Sequence, residues 1–402
     1  MTEDSRSRPL IEIGILIVGR LDQIDEAATK RAGKIVDEFL EERFPEFEFK
    51  LYAILRPEMA TEGVAQPSVL LQQAVEERDL RHWDFAFVLT AAELKSYYSP
   101  RCYAALSRPF DAAILSILLI DPVAVGEDAD QGRRIERIAH RLSRLMIHAV
   151  GHLTGLHASE ESDNLMAHPS TVGSIDSMNR LNADQIERQR ASFAEIADQR
   201  LEERSEPVVS KPVFAAQATW INRWEILQAI GAARPWQFPR RLSSLSLASI
   251  STLAVLFMTA EAWDLALDQA WWRIAVLVIG TWCVTTGYVA VRQQLFVMRS
   301  RNQSEQAVMT AVSALAIVSL GMLVTWVLLV FFGMVISGLL FRENLIESWA
   351  AASSLELPAL ALASRLKMAM FSGSLGLLIG GLGASFESQH YFRHVIFVDE
   401  EI

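Results

Sequence analysis

Beyond about residue 240 the chain carries long runs almost free of charged side chains: Leu242–Ala262, Trp272–Val291, Val308–Phe341 and Met368–Phe386. Each reaches the ~20 residues a helix needs to cross the hydrocarbon core of a bilayer, so they predict four transmembrane helices. Before them, short apolar runs alternate with charged helical stretches, the pattern of a soluble domain. The apolar excess behind the 51% hydrophobic content is thus not spread evenly along the 402 residues. The expected organisation is a folded domain over 1–204, a linker and interfacial amphipathic helix over 205–241, a four-helix transmembrane domain over 242–386, and a cytoplasmic tail over 387–402.

The third run is long for one perpendicular crossing and short for a hairpin, so it is expected to tilt or project. Arg240, Arg241, Arg292, Arg299 and Arg301 flank the ends placed inside, whereas Glu261, Asp264 and Asp268 fall in the first outer loop. That asymmetry puts both ends of the chain in the cytoplasm, and with no secretory signal core at the start the expected location is a bacterial inner membrane. Gly373, Gly376, Gly380, Gly381 and Gly383 crowd the fourth run and fit close helix packing, within the bundle or between protomers of a homo-oligomer. No run carries a buried ionisable pair, which argues against transport or conduction. A net charge of −11, with no basic stretch interleaved with aromatics, argues against nucleic acid as a partner. Before the first run, Trp220, Ile221, Trp224, Leu227 and Ile230 make an apolar stripe followed by Arg234, Trp236, Arg240 and Arg241, suited to the bilayer interface.

In the first half, Ile11–Val18 reads as a buried strand, Asp22–Phe44 as a helix, Phe47–Leu55 as an alternating strand, Ser68–Asp79 as a helix, and Asp84–Thr90 and Asp111–Asp121 as strands. Tyr97–Tyr103 reads as irregular. The order predicts a mixed α/β sheet flanked by helices. A long helix is expected over Gly132–Gly155, with Arg133, Arg137, Arg141 and Arg144 on a solvated face, and Asn182–Gln185 reads as a capping box opening a helix to about Arg204.

The end of the long helix reads His148-Ala-Val-Gly-His152-Leu-Thr-Gly155-Leu-His157, and Asp163-Asn-Leu-Met166 follows. Histidines four residues apart share a helix face, so His148 and His152 can converge on one metal ion. A zinc site needs a further ligand. Gly155 can leave the helix in a left-handed conformation and swing His157 back toward the pair; Asp163 and His168 are the alternatives. His82, His140, His390 and His394 lack ligand spacing and read as ordinary residues. The bland reading of the motif is a pair of helical histidines satisfied by Glu160 or Asp163.

With the glycine and methionine turns in place, the motif resembles that of the metzincin-type zinc metallopeptidases, and residues 10–200 are most similar to the archaemetzincin branch, in the opening Ile-Gly-Ile-Leu-Ile-Val-Gly-Arg-Leu-Asp and in the Leu-Ile-Asp ahead of the histidine helix. The resemblance implies a zincin fold, a mixed sheet with an active-site helix, here joined to an α-helical transmembrane bundle. It implies one zinc ion per chain held by His148, His152 and His157, a turn at Gly155, and Met166 as the floor beneath the metal. The chain departs from the family pattern in three ways. His157 comes one residue early, the cysteine cluster of a second structural zinc is missing, and Ala149 stands where the family has its general-base glutamate.

Alanine cannot take a proton from water, and losing a general base costs about two to four orders of magnitude in rate. The expected function is therefore that of a membrane-anchored zinc metalloendopeptidase acting on peptide or protein substrates at the cytosolic face of the bilayer, present here as an inactive variant. An engineered replacement of the glutamate is one explanation of Ala149. The alternative is a natural pseudopeptidase, a zinc-stabilised sensor or binding domain controlling the transmembrane bundle. One candidate substrate is the chain itself, because His394–Val398 is strand-like and could add to the edge of a cleft sheet.

Overall fold

Alternation in the first strands decides which face of the sheet each residue serves. In the computed structural model, which describes residues 8–59, 63–197, 211–293, 305–342, 344–346, 348, 361–384 and 387–402, strand β1 (Leu10–Val18) turns Ile11, Ile13 and Ile15 into one apolar cluster. There they meet Ala28, Ala32, Val36 and Leu40 of helix α1 (Gln23–Arg43). Strand β2 (Glu48–Arg56) pairs parallel with β1, helix α2 (Pro67–Arg81) packs on the opposite face, and β3 (Phe85–Thr90) pairs parallel with β1 from the other side. The next strands are β4 (Ala104–Ser107) and β5 (Ala112–Ser116). A last strand, β6 (Glu400–Glu401), completes a six-stranded sheet of order β2-β1-β3-β5-β4-β6. Five strands, β6 among them, run in one direction; β4 alone is antiparallel, to its neighbours β5 and β6.

Helix α3 (Gln131–Leu153) lies on the cluster face, burying Ile138, Leu142, Leu145, Met146, Ala149 and Leu153. Asp130 caps it, accepting from the Arg133 N–H at 2.8 Å. Helices α4 (Val172–Ser177) and α5 (Ala183–Ile196) follow, the latter opened by the capping box read from the sequence, with Gln185 accepting from the Asn182 N–H at 2.8 Å. The remainder of the expected helix to Arg204 lies outside the described residues, as does most of the linker from Ser205. Two short helices, α6 (Lys211–Ile221) and α7 (Arg223–Ala233), carry the tryptophan stripe, and Trp220, Trp224 and Leu227 are exposed.

Three sequence expectations change. The strand expected over Asp111–Asp121 stops at Ser116, and Leu118–Ile120 form a 3-10 turn. Strand β4 was hidden because four residues, Ala-Ala-Leu-Ser, are too short and too weak in β-formers to signal. Arg141 is not on a solvated face: it is 1% exposed, and it donates to Asp176 at 2.7 and 2.9 Å, to Glu127 at 2.8 and 3.0 Å and to the Ile120 carbonyl at 3.0 Å. Its apolar stem packs inside while the carboxylates satisfy its head.

The chain divides into two units, one taking in the residues up to Ala232 together with Phe397–Ile402, the other beginning at Ala233. The second unit holds α8 (Phe238–Arg241), α9 (Ser243–Phe257), α10 (Ala260–Asp268), α11 (Trp271–Arg292), most of α12 (Glu305–Leu340), α13 (Ala361–Ala384) and α14 (Gln389–Phe397). Three of these are long and apolar enough to cross a membrane: Trp271–Arg292, Glu305–Leu340 and Leu362–Ala384. The first expected span is instead divided, α9 and α10 meeting at an 89° bend. There Trp263 folds back and its indole donates to the Phe257 carbonyl at 3.0 Å, satisfying a group freed by the break. Helix α12, at 36 residues, is about 54 Å long and exceeds one perpendicular crossing. The glycines of α13 pack within this unit, since a Cβ at Gly376 or Gly380 would meet the backbone of α9 at Ser249 or Leu245. Arg299 and Arg301 lie outside the described residues.

Candidate metal and peptide site

The last turn of α3 delivers His148 and His152 to the lip of the sheet beside β4. His148 is wholly buried. Its Nδ1 donates to the Leu165 carbonyl at 2.8 Å, and its Nε2 makes no hydrogen bond, with Glu400 Oε1 3.8 Å away. A buried ring nitrogen without a hydrogen bond is costly, and a backbone carbonyl on the far nitrogen is how ligating histidines are oriented. Helix α3 then ends as the sequence predicts. Gly155 is left-handed, with φ of 90°, and the Leu156 N–H returns to the Gly151 carbonyl at 2.8 Å.

Gly151, between the histidines, has a second role. Any side chain there would strike the Met166 thioether, so the absence of a Cβ lets methionine lie against the histidine turn. Asn164 shapes that approach by accepting from the Met166 N–H at 2.8 Å. Met166 is 1% exposed and lies against the histidine turn.

The chain after Gly155 does not bring His157 back. That residue is exposed, because the backbone runs on toward Ser159, whose N–H donates to the Met166 carbonyl at 2.8 Å. His168 approaches the same carboxylate as the histidine pair, its Nδ1 lying 3.4 Å from Glu400 Oε1. Asp163, the other alternative, is spent on Arg180 at 2.7 Å. Among the described residues no group of three or more histidine, cysteine or carboxylate side chains is arranged to hold a metal ion. The structure thus keeps His148 and His152 one helical turn apart and leaves His157 exposed.

His152 is engaged by a segment nearly 250 residues away. Its Nδ1 lies 2.6 Å from Glu400 Oε2 and its Nε2 lies 2.9 Å from Asp399 Oδ2. Both ring nitrogens must donate to satisfy this pair, so the ring is an imidazolium. Burial alone would lower its pKa, but Asp399 and Glu400 outweigh that and raise it to about 10. Burial likewise pushes Glu400 upward, and His148, His152 and His168 together hold it well below the usual carboxylate range. A histidine that ligates a metal must present a lone pair. Metal and the carboxylate pair are consequently alternatives at His152.

The segment is held in place by its backbone. The Asp399 N–H donates to the Leu106 carbonyl at 3.1 Å, the Ile402 N–H donates to the Ala104 carbonyl at 2.8 Å, and the Ile402 carbonyl accepts from Ala104 at 3.1 Å and from Tyr103. The strand-like run expected at His394–Val398 is helical through Phe397, and the strand begins at Glu400 instead. A sheet edge was the correct target for this region, but the residues that pair there are acidic ones that give no strand signal.

No family model matches the sequence, and no curated relative matches it. Solved structures similar to it include an archaemetzincin from Methanopyrus kandleri, with 16% identity over 47% of this chain and 99% of that one at a TM-score of 0.36. A zinc-dependent peptidase from Methanocorpusculum labreanum shows 14% identity over 44% of this chain and 99% of its own, at 0.34. An archaemetzincin from Archaeoglobus fulgidus shows 13% identity over 44% and 99%, at 0.30. The site's own chemistry, and not these likenesses, bears the functional reading.

Proposed function

We propose that the first unit is a zinc-metallopeptidase-type domain anchored to a membrane by the apolar helices of the second, with Ala149 standing in the general-base position and hydrolysis correspondingly suppressed. The observation that carries this reading is the wiring of His148, a buried imidazole whose Nδ1 donates to a main-chain carbonyl and whose Nε2 makes no hydrogen bond, one helical turn from a second histidine. His148 and His152 are the proposed ligands, completed by His157 or His168 after rearrangement of the loop. Zinc bound there would supply Lewis-acid polarisation of a carbonyl and a more acidic water. The residues of the chain do the rest: Leu165 orients the His148 ring, Met166 supports the turn, and the β4 edge, where Glu400 and Glu401 now pair, would align an extended peptide beside the histidines. Anchoring is supported by three helices of sufficient length and apolarity and by the exposed Trp220, Trp224 and Trp236 ahead of them.

A second reading, the natural pseudopeptidase, is favoured by the setting of Ala149. It is wholly buried within the apolar cluster of the sheet and α3, where a carboxylate would be costly. Zinc content and peptide-library hydrolysis, measured for this chain and for Ala149→Glu, separate the two. Zinc in both with hydrolysis only in Ala149→Glu establishes an inactivated peptidase; zinc without hydrolysis in either favours the pseudopeptidase; no zinc in either removes the metal site.

A further inference from the structure

Glu401 points away from the histidines and into a separate pocket. Its carboxylate accepts from the main-chain N–H groups of Tyr97 at 3.0 Å, Tyr98 at 2.9 Å and Ser99 at 3.2 Å, and from the Ser96 hydroxyl at 3.0 Å. Successive backbone N–H groups turned toward one point form an anion-binding concavity. The residue is 5% exposed, so the interaction is desolvated as well as multiply bonded. Ile402, next along, is 1% exposed and packs in the apolar cluster with Tyr103. On the other side of the strand, Glu400 and Asp399 occupy the histidines. Main-chain pairing, an anion pocket, an apolar pocket and an imidazole within hydrogen-bond reach of two carboxylates are the parts of a recognition site for an extended strand.

We propose that the β4 edge, the Ser96–Ser99 loop and the histidine turn form a binding site for extended acidic peptide segments of the pattern Asp-Glu-Glu-aliphatic, with Asp399–Ile402 of the chain as its resident, competing occupant. This deepens the peptidase reading by naming a class of peptide the cleft takes. The Ser96–Ser99 loop is then the element of selectivity, demanding a carboxylate at the position of Glu401. Substrates or partners of the cleft gain access when the resident strand leaves.

The test uses the full-length chain in detergent with chelator present, so that its result is independent of zinc and of hydrolysis. The probes are fluorescent peptides Phe-Val-Asp-Glu-Glu-Ile and Phe-Val-Asp-Glu-Lys-Ile, and the readout is anisotropy alongside hydrogen exchange of the Tyr103 and Ala104 amides. In Glu401→Lys the resident strand loses its anchor, so these amides exchange faster. The acidic peptide should then bind that variant roughly ten- to a hundredfold tighter than it binds the natural chain, the scale of a lost charge-assisted hydrogen-bond set. The acidic peptide should also outbind the lysine peptide by a similar factor and restore protection of the two amides. The neutral isostere Glu401→Gln should show a smaller gain of the same sign, and it decides the matter if Glu401→Lys does not fold. Equal affinity of natural chain and variant, no preference for the acidic peptide, or amides already unprotected in the natural chain would each overturn the proposal. A peptide that binds as expected to a chain with neither zinc nor activity would leave this site standing while removing the peptidase reading.

Discussion

The two ends of α3 solve the same problem with different chemistry. Toward its start, Arg134 and Arg141 are neutralised by Asp121, Glu127 and Asp176. At its end, His148 and His152 are met by Asp399 and Glu400 from the far end of the chain. A guanidinium keeps its charge throughout the accessible pH range and has no lone pair to offer, so the first cluster can only be structural. An imidazole can exchange a carboxylate for a metal, so the second cluster can be emptied and refilled. Burial at the two ends is similar, Arg141 at 1% and His148 at 0%. The difference in function comes from the side chains and from the sequence distance of their partners.

The largest effect expected concerns activity. If the histidine end is a suppressed peptidase centre, Ala149→Glu should raise peptide hydrolysis by about two to four orders of magnitude, read as kcat/KM on a peptide library with zinc present. The same substitution should weaken the docking of Asp399–Ile402, because Ala149 is wholly buried in the apolar cluster that Ile402 also enters, and an added carboxylate requires solvent or a partner. Faster exchange at Tyr103 and Ala104 in Ala149→Glu checks this; unchanged protection would show that the docked strand and the glutamate coexist.

Next come paired substitutions that set one end of α3 against the other. His148→Ala should remove stoichiometric zinc, measured by elemental analysis after dialysis, while leaving a folded chain. Arg141→Met should do the reverse, retaining zinc and costing about 2–4 kcal/mol in chemical denaturation, because Glu127 and Asp176 lose a buried partner and are themselves only partly buried. Zinc loss in Arg141→Met, in a chain that remains folded, would break the division between structural and exchangeable ends. A smaller effect separates the third-ligand candidates. If His168 serves, His168→Ala weakens zinc binding by about tenfold or more and His157→Ala changes it little; the opposite result restores the family assignment of His157.

Much of this was legible beforehand for a physical reason. The period-two alternation of β2, the helical spacing of α3, the capping box of α5 and the left-handed turn at Gly155 are local properties, written within a few residues of where they act. Met166 was legible as a floor only through the resemblance, and its reason, the missing Cβ of Gly151, is visible only in space. Strands β4 and β6 were not legible because short strands are specified by their neighbours and not by their own composition. The docking of Glu400 and Glu401 was illegible for the same reason. Three consecutive acidic residues read as a solvated end of the chain until a pocket of amides and imidazoles is set opposite them. Arg141 was misplaced because an arginine in a charged helix reads as exposed, and its partners come from two separate loops.

The smallest effect expected is also the one that draws the contrast most finely. In the metal-free chain, His152 faces Asp399 and Glu400, Asp399 has Arg108 nearby, and Glu400 is shared with His148 and His168. The folded-state pKa of His152 is raised to about 10, so its contribution to docking is fully present below the unfolded value and is lost as pH climbs through about 10. Glu400 is depressed, so its contribution is present above the ordinary glutamate value and is lost as pH falls through its own lowered pKa. Docking of Asp399–Ile402 should therefore be flat near neutrality and weaken on the alkaline side first, in the range where hydrogen-exchange protection of Ala104 can be corrected for intrinsic rate. At the arginine end, the guanidinium of Arg141 keeps its charge over the same interval, so amides of the first turns of α3 should show no matching alkaline loss. An alkaline loss of equal size at both ends would mean that global unfolding, and not the imidazole pair, sets the response.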